Sequence, residues 1–364
     1  MSPRRTGSQA GRRRLAVIFG GRSTEHEVSV TSARGVMHEA DAERFEVVPF
    51  GITRRGAWLT PAQTTRRLER VEAGEARSLG DDEGEGVFAY PDVLEQLSRV
   101  DVVFPIVHGT FGEDGTLQGL LELADLPYVG SGVAASSVGM DKELMRAAFA
   151  TAGLPQARYR VLRDAEARNP SAESVRAIEA ELGYPCFVKP ANGGSSVGIS
   201  KARSREDLGQ AVAVAARHDR KVLVEEAISG QEVECAVLGN ADPQPSPLGE
   251  IRPHAEFYTY EAKYLDDTTE LIVPADLPEA TAQRVQEHAL RAYRAVDCAG
   301  LARVDFHVMS DDELRVLEVN TLPGFTPISM YPRLWQEAGV SYGELITRLV
   351  DLAIERHEES RARV

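Results

Sequence analysis

The 364-residue chain carries 41 Lys and Arg against 56 Asp and Glu, a formal charge of −15, with 43% hydrophobic and 27% charged residues. At roughly 100–200 residues per domain this length implies two to three domains with buried cores, and the composition excludes disorder, collagen and membrane spans. The acidic balance argues against a nucleic-acid binder, which needs a broad basic face, and the longest apolar run, 15–19, is far short of the ~20 residues of a spanning helix.

Residues 1–14 hold five arginines but no apolar stretch of a secretory signal, and read as a disordered basic tail. A strand over 15–19 ends in Gly20-Gly21, a polar turn follows at 22–25, then a helix from about 26 to 40 and a strand over 45–50. Strand, glycine turn, helix, strand is a βαβ opening and predicts a parallel sheet. Segment 63–85, dense in Arg, Glu, Asp and Gly, reads as a solvated insertion. A third strand is expected over 100–107, with Asp101 its only charge, and 126–132 closes this unit.

A helix over 141–152 is broken by Gly153-Leu154-Pro155. An α+β unit follows, with strands at 186–189 and 221–225 and a glycine-serine loop after the first. Then come an alternating strand over 232–238, a polar and aromatic stretch over 252–275 that reads as a binding loop or lid, a strand pair at 303–309 and 314–320, and a terminal helix over about 342–356. The expected units are an N-terminal α/β domain over 15–138 (insertion about 63–86), a central α+β unit over 139–228 and a C-terminal unit over 229–364. Cys186, Cys235 and Cys298 lie too far apart for zinc or CxxC chemistry, and their apolar neighbours suggest small buried hydrophobes in a reduced, cytoplasmic setting.

The strand pair carries the strongest chemical signal. Its turn reads Ser310-Asp311-Asp312-Glu313; with Asp311 and Asp312 central, Asp305 faces Glu318 and Arg303 faces Asn320. Side chains alternate along a strand, so these four share one face. Directly opposed carboxylates repel. A divalent cation between them removes the penalty, and an all-oxygen set completed by Asn320 suits magnesium. The alternative is a solvated face, opposed by Val304, Phe306, Leu317 and Val319, which mark the other face as core. Arg303 is then a fixed positive charge beside the metal.

Only five of the 41 basic residues are lysine: Lys142, Lys189, Lys201, Lys221 and Lys263. Lysine is a compact point charge suited to phosphate oxygens. Lys189 ends a strand just before the loop 192–198, whose glycines, Ser195 and Ser196 can present N–H groups and hydroxyls to an anion. It is not a Walker loop, and alone it reads equally as a hairpin turn. Lys221–Glu226 is an apolar strand running into Glu225 and Glu226, which can accept from an adenine amino group or ribose hydroxyls, with Glu232 within reach of the same ligand; the plain reading is a charged strand end. Tyr258, Tyr260, Lys263 and Tyr264 would make a poor core and a good lid that excludes water from a phosphate. The GxGxxA stretch at 130–135 lacks the acidic residue about twenty positions on that a dinucleotide site requires.

These residues resemble the D-alanine–D-alanine ligases of the ATP-grasp superfamily, through GGRSTEHEVSV (20–30), PIVHGTFGEDGTLQGLLEL (105–123), GSGVAASSVGMDK (130–142), FVKPANGGSSVG (187–198), YEAKYL (260–265), ARVDF (302–306) and LEVNTLPGFT (317–326). The segment around 63–86 and the basic tail look like a long variant. The resemblance implies a three-domain α/β ATP-grasp architecture, with ATP between the central and C-terminal units and a homodimer built through the N-terminal one. It implies Lys142 and Lys189 near the phosphates, Glu225, Glu226 and Ile228 at the adenine edge, Glu232 at the ribose and Lys263 at the transferred phosphate. Asp305, Glu318 and Asn320 would hold two magnesium or manganese ions. Glu25 would bind the ammonium of the first D-alanine, with His108 near its carboxylate, and Ser195 and Tyr260 would bond with Glu25. Arg303 and the Gly324 N–H would stabilise the oxyanion, and Ser329 would hold the second D-alanine's carboxylate.

The implied reaction joins two D-alanines through a D-alanyl phosphate for peptidoglycan precursor synthesis. Tyr264, after the lid lysine, resembles the mark of D-alanine as second substrate, where Phe would imply D-lactate. The competing readings are a D-alanine–D-lactate or other D-alanyl ligase of the same fold, a nicotinamide oxidoreductase and a non-catalytic nucleotide binder.

Overall fold

The computed structural model describes residues 11–76, 78–194, 197–252, 270–310 and 313–363. In chain order the first unit comprises β1 (Arg13–Gly20), α1 (His26–Glu39), β2 (Phe45–Ile52), α2 (Pro61–Glu72), α3 (Pro91–Leu97), β3 (Val102–Ile106), α4 (Thr116–Leu123) and α5 (Val133–Met140). Its sheet is parallel with order β2-β1-β3, as the βαβ pattern predicts.

Three expectations for this unit are corrected. Arg13 and Arg14, assigned to the tail, are the first residues of β1 and pair with Phe45 and Glu46. Asp101 lies outside β3, and its carboxylate accepts from the Arg14 N–H at 2.7 Å, holding the strand's start. Segment 63–85 is not simply solvated: α2 begins at a capping box between Thr60 and Gln63 with Pro61 in the first turn, and it buries Thr64 and Leu68. Leu79, farther along, is fully buried in the same core.

The central unit has α6 (Lys142–Thr151), β4 (Tyr159–Arg163), α7 (Asp164–Arg168), α8 (Ala172–Glu181), β5 (Cys186–Pro190), β6 (Ser200–Ala202), α9 (Arg205–Ala215) and β7 (Lys221–Glu226), with an antiparallel sheet of order β4-β7-β5-β6. The last unit has β8 (Gln231–Gly239), β9 (Gln244–Arg252), β10 (Glu270–Ile272), α10 (Glu279–Ala295), β11 (Gly300–Ser310), β12 (Glu313–Asn320), α11 (Met330–Glu337) and α12 (Tyr342–Ala362), with an antiparallel sheet of order β10-β9-β8-β11-β12. Of the stretch read as a loop, 253–269 lies outside the described residues, and 270–272 is strand β10 on the sheet edge. The terminal helix runs six residues beyond 356, to Ala362.

Packing explains the placement of the site. One face of the last sheet is core: Val233, Val304, Phe306 and Val319 pack with Val285, Ala289 and Tyr293 of α10 and with Met145 and Phe149 of α6. On the other face Ala236, Leu238, Ile251 and Leu301 are buried with Met330, Tyr331 and Leu334 of α11, and the end carrying Glu234, Arg303, Asp305 and Glu318 is left polar. The first sheet is covered on both sides, by α3 and α4 on one and by α1, α11 and α12 on the other, where Leu15, Val17 and Phe19 meet Tyr331, Trp335, Leu345 and Leu349. A parallel sheet buried on both faces presents its strand ends to ligand. Cys186, Cys235 and Cys298 are all buried and free, in accord with the sequence reading.

Candidate active site

Glu25 and His108 emerge from the carboxyl ends of the neighbouring strands β1 and β3. Glu25 precedes α1 as its N-cap and is buried. His108 follows β3 and is 3% exposed; its Nδ1 lies 3.4 Å from Glu113 Oε1. Gly109, at φ +75°, turns the chain so that the Gly112 and Glu113 N–H groups reach its carbonyl, which brings Glu113 back to the histidine. A Cβ on Gly109 would lie 3.0 Å from Ser23, so the two loops meet only through glycine. Burial works against the His108 imidazolium, but Glu113 and then Glu25 more than offset it and raise the histidine above its ordinary value.

The strand pair β11–β12 has the expected register at the site: Arg303 opposes Asn320 and Asp305 opposes Glu318. Beyond it the ladder slips by one residue, so that Phe306 opposes Val316, and it slips back between Val308 and Ser310. The first slip corrects one expectation: Leu317 is only half-buried, and Val316 and Leu314 take the core positions. Arg303 donates to both oxygens of Asp305 at 2.7 Å and approaches Glu234 at 3.1 Å, and Asn320 donates to Asp305 at 3.0 Å. Burial opposes the Arg303 charge, yet Asp305, Glu234 and Glu318 outweigh it and keep the guanidinium protonated.

The central unit adds three cations. Lys142, first in α6 after the Asp141 cap, donates to the Gly193 carbonyl at 2.7 Å. Burial lowers its pKa, with Glu318 and Glu225 acting against that and Lys189 with it. Lys189 donates to Glu225 at 3.2 Å, and Arg146 pairs with the other Glu225 oxygen. Burial alone would raise Glu225; Lys189 and Arg146 reverse this and hold the carboxyl below its ordinary range. The Glu226 carboxylate is taken by the backbone N–H and guanidinium of Arg158, at 2.8 and 2.6 Å. Neither acid at the end of β7 is therefore an unclaimed acceptor. Ile228 is half-buried in the β7–β8 connection, and Glu232 faces His307 across β8–β11.

A cavity of about 480 Å³ is lined by Glu25, His108, Lys142, Arg303, Glu318, Asn320, Gly324 and Ser329. The structure thus gathers eight of the sequence-predicted residues from three units. Lys189, Glu225, Glu226, Ile228, Glu232 and Asp305 do not line it. Ser195, Tyr260, Lys263 and Tyr264 lie outside the described residues. At the cavity wall Ser329 caps the turn, its hydroxyl accepting from Thr326 N–H at 3.0 Å, and the Tyr342 hydroxyl pins the Phe325 carbonyl at 2.6 Å.

Family models described as "D-ala D-ala ligase N-terminus" and "D-ala D-ala ligase C-terminus" match residues 14–131 and 148–351. The chain is 48% identical over 359 residues to the D-alanine–D-alanine ligase of Geobacillus thermodenitrificans, covering 96% of this chain and 97% of that one. The chain belongs to the D-alanine–D-alanine ligase family. Among solved structures, the VanG D-Ala:D-Ser ligase from Enterococcus faecalis matches with a TM-score of 0.81 and 34% identity over 94% of this chain and all of that one. The D-alanine–D-alanine ligase from Bacillus anthracis, complexed with ATP, matches with a TM-score of 0.74 and 26% identity over 96% and 99%. The family makes this chain an ATP-using ligase of the ATP-grasp fold. No helix among the described residues is long and apolar enough to cross a membrane.

The ligase also holds functional groups that the sequence did not reveal. Glu234, buried against Arg303, and Arg146, against Glu225, lie outside their partners' motifs, whereas Glu113, against His108, lies five positions on in the same segment. Glu113 and Glu234 had a signal: Glu113 shares the 105–123 segment with His108, and Glu234 lies two positions beyond Glu232, on the same face of an alternating strand.

Proposed function

We propose that the chain joins two D-alanines to D-alanyl-D-alanine at the expense of ATP, through a D-alanyl phosphate, for peptidoglycan precursor synthesis. The observation that carries this reading is the single cavity in which Glu25 and His108, from the parallel sheet, face Arg303, Glu318 and Asn320, from the antiparallel one. The first set suits an amino acid's ammonium and carboxylate; the second suits phosphate and cation.

Among the described residues no three His, Cys, Asp or Glu side chains gather as a metal set, so a third protein ligand is the Asn320 amide. Asp305 and Glu318, opposed in register with Asn320 beside them, fit two magnesium or manganese ions, since an all-oxygen set with room for water and phosphate suits these cations. Such ions neutralise charge on the transferring phosphate.

The chain's own residues do the rest. Glu25 orients the first D-alanine by its ammonium and His108 lies by its carboxylate. Lys142 and Lys189, with Lys263 from the lid, bind phosphate oxygens. Glu225, Glu226 and Ile228 form the adenine edge and Glu232 the ribose contact; because the Glu225 and Glu226 side chains are already paired with cations, the edge is held rigid before nucleotide arrives. Ser195 and Tyr260 bond with Glu25 and close the site, excluding water that would hydrolyse the acyl phosphate. Ser329 holds the second D-alanine, whose amine attacks the acyl carbon. Arg303 and the Gly324 N–H meet the oxyanion, and phosphate leaves. Tyr264 favours D-alanine over D-lactate. The three units divide near 138 and 228, and the protein works in the cytoplasm as a homodimer.

Phosphate release measured with ATP and magnesium across D-alanine, L-alanine, D-serine and D-lactate tests the reading. D-alanine-dependent turnover with a dipeptide product is expected. Its absence removes the reading, and a mixed product with D-serine or D-lactate in competition with D-alanine replaces it with the depsipeptide or D-serine version.

A further inference from the structure

Helix α6 carries Lys142 and Arg146 four residues apart, one turn along the same face. Lys142 reaches the cavity. Arg146 instead turns onto the central sheet, where its side chain is 3% exposed and pairs with Glu225, 5% exposed. Its guanidinium stacks over the Tyr159 ring at 5.2 Å from the centroid. Tyr159 directly opposes Glu225 in the β4–β7 register, so ring, guanidinium and carboxylate share one face. From behind, the Gln156 amide donates to the Arg146 carbonyl at 3.0 Å.

The second Glu225 oxygen is committed elsewhere. It accepts from Lys189 at 3.2 Å, and Lys189, at 19% side-chain exposure, is the least buried of the three. The carboxylate is thus held at one oxygen by a buried guanidinium nitrogen and at the other, more loosely, by one point charge. A planar guanidinium stacked on a ring is a fixed mount, whereas an ammonium on a flexible stem can turn to a new anion.

We propose that Arg146 is a positioning residue for nucleotide binding: it fixes Glu225 by one oxygen so that the other holds Lys189 toward the nucleotide, without touching the nucleotide itself. The inference rests on the proposed function, in which Glu225 and Lys189 line the ATP site. It adds a group that acts from behind both. The same helix then sets both ends of that site, Lys142 at the phosphates and Arg146 at the strand end.

The test uses the full chain and the variants Arg146→Lys, Arg146→Met and Arg146→Gln. Arg146→Met should raise the KM for ATP by about tenfold or more, the usual size of a lost charged hydrogen bond. The KM for D-alanine and kcat should stay within about threefold, and the thermal shift on adding ATP should shrink. Arg146→Lys, which keeps the charge without the planar guanidinium, should recover part of the ATP affinity. An unchanged KM for ATP, or equal rises for ATP and D-alanine, would overturn the proposal, since a merely structural role loosens both sites together. Where Arg146→Met does not fold, Arg146→Gln, which keeps a polar side chain in the same place, should show the same selective loss; wild-type ATP affinity there overturns it too. The two failures are separable: a wild-type chain that is stabilised by ATP but ligates nothing removes the proposed reaction, while the Arg146 comparison in that same thermal assay still decides this inference.

Discussion

Arg303 grips Asp305 with two parallel hydrogen bonds, each 2.7 Å long, on a strand face where Glu234 and Glu318 are also within electrostatic reach. One planar cation therefore serves three carboxylates, and its fork geometry is what allows it.

Arg303→Lys keeps the charge and loses the fork. We expect kcat to fall by about 10²–10³, the usual effect of removing one oxyanion donor. Loss of the second bond to Asp305 should also lower stability, by less than the about 3–5 kcal/mol of a fully broken buried pair. Steady-state phosphate release and thermal unfolding of the same preparation check both; a wild-type kcat would show that Arg303 only holds the strand.

Glu318→Gln leaves the register of β11 and β12 intact and removes half of the opposed carboxylate pair. Activity should nearly vanish and its dependence on magnesium concentration should flatten. Rates are to be followed in a magnesium titration. A normal rate and a normal titration would make this strand face structural.

His108 offers a pH test. Its pKa is raised, so its contribution to stability is fully present below the ordinary value of 6.5 and is lost as pH climbs through the folded-state value. Glu113→Gln removes the largest raising influence. The His108 pKa should then fall, with Glu25 and the Leu322 backbone still raising it against burial, and the pH at which its stabilisation is lost should move down with it. Titration of the His108 ring proton by NMR in both proteins reads this directly; unchanged values would break the His108–Glu113 link.

The three cysteines should be silent in the folded enzyme. Burial pushes Cys186 up to about 11 and Cys235 and Cys298 to about 12, far from the range in which a thiolate forms. An aromatic disulfide reagent at pH 8 should therefore react only upon unfolding, and then with three equivalents. Fast labelling of the native protein would show one of these thiols to be accessible.

What the sequence disclosed follows from periodicity. Pairing across a short turn fixes the register at Asp305–Glu318 because one face is core, so a single residue of slip would bury the acids. The turn rule could not foresee the two compensating slips, and for that reason it put Leu317 in the core in place of Val316. Arg146 and Glu234 were hidden because their meaning comes from a partner that only the fold brings near, whereas Glu113 lies five residues from His108 and is brought back by the turn at Gly109. Helix α2 was hidden by its charge, although Thr60-Pro61 and Gln63 spell a capped start. Helix α10 went unread despite Thr281, Val285, Ala289 and Ala292 buried at helical spacing. The segment 253–269, with the tyrosines and Lys263 read as a lid, lies outside the described residues.

The last helix covers the first sheet. Leu345 and Leu349 of α12 share one buried cluster with Leu15, Val17 and Phe19 of β1, although some three hundred residues separate them in the chain. During synthesis at about 5–20 residues per second, that strand waits on the order of 15–60 s for its lid of leucines to be made. Until that helix has been made, this face of the amino-terminal sheet lacks part of its native cover.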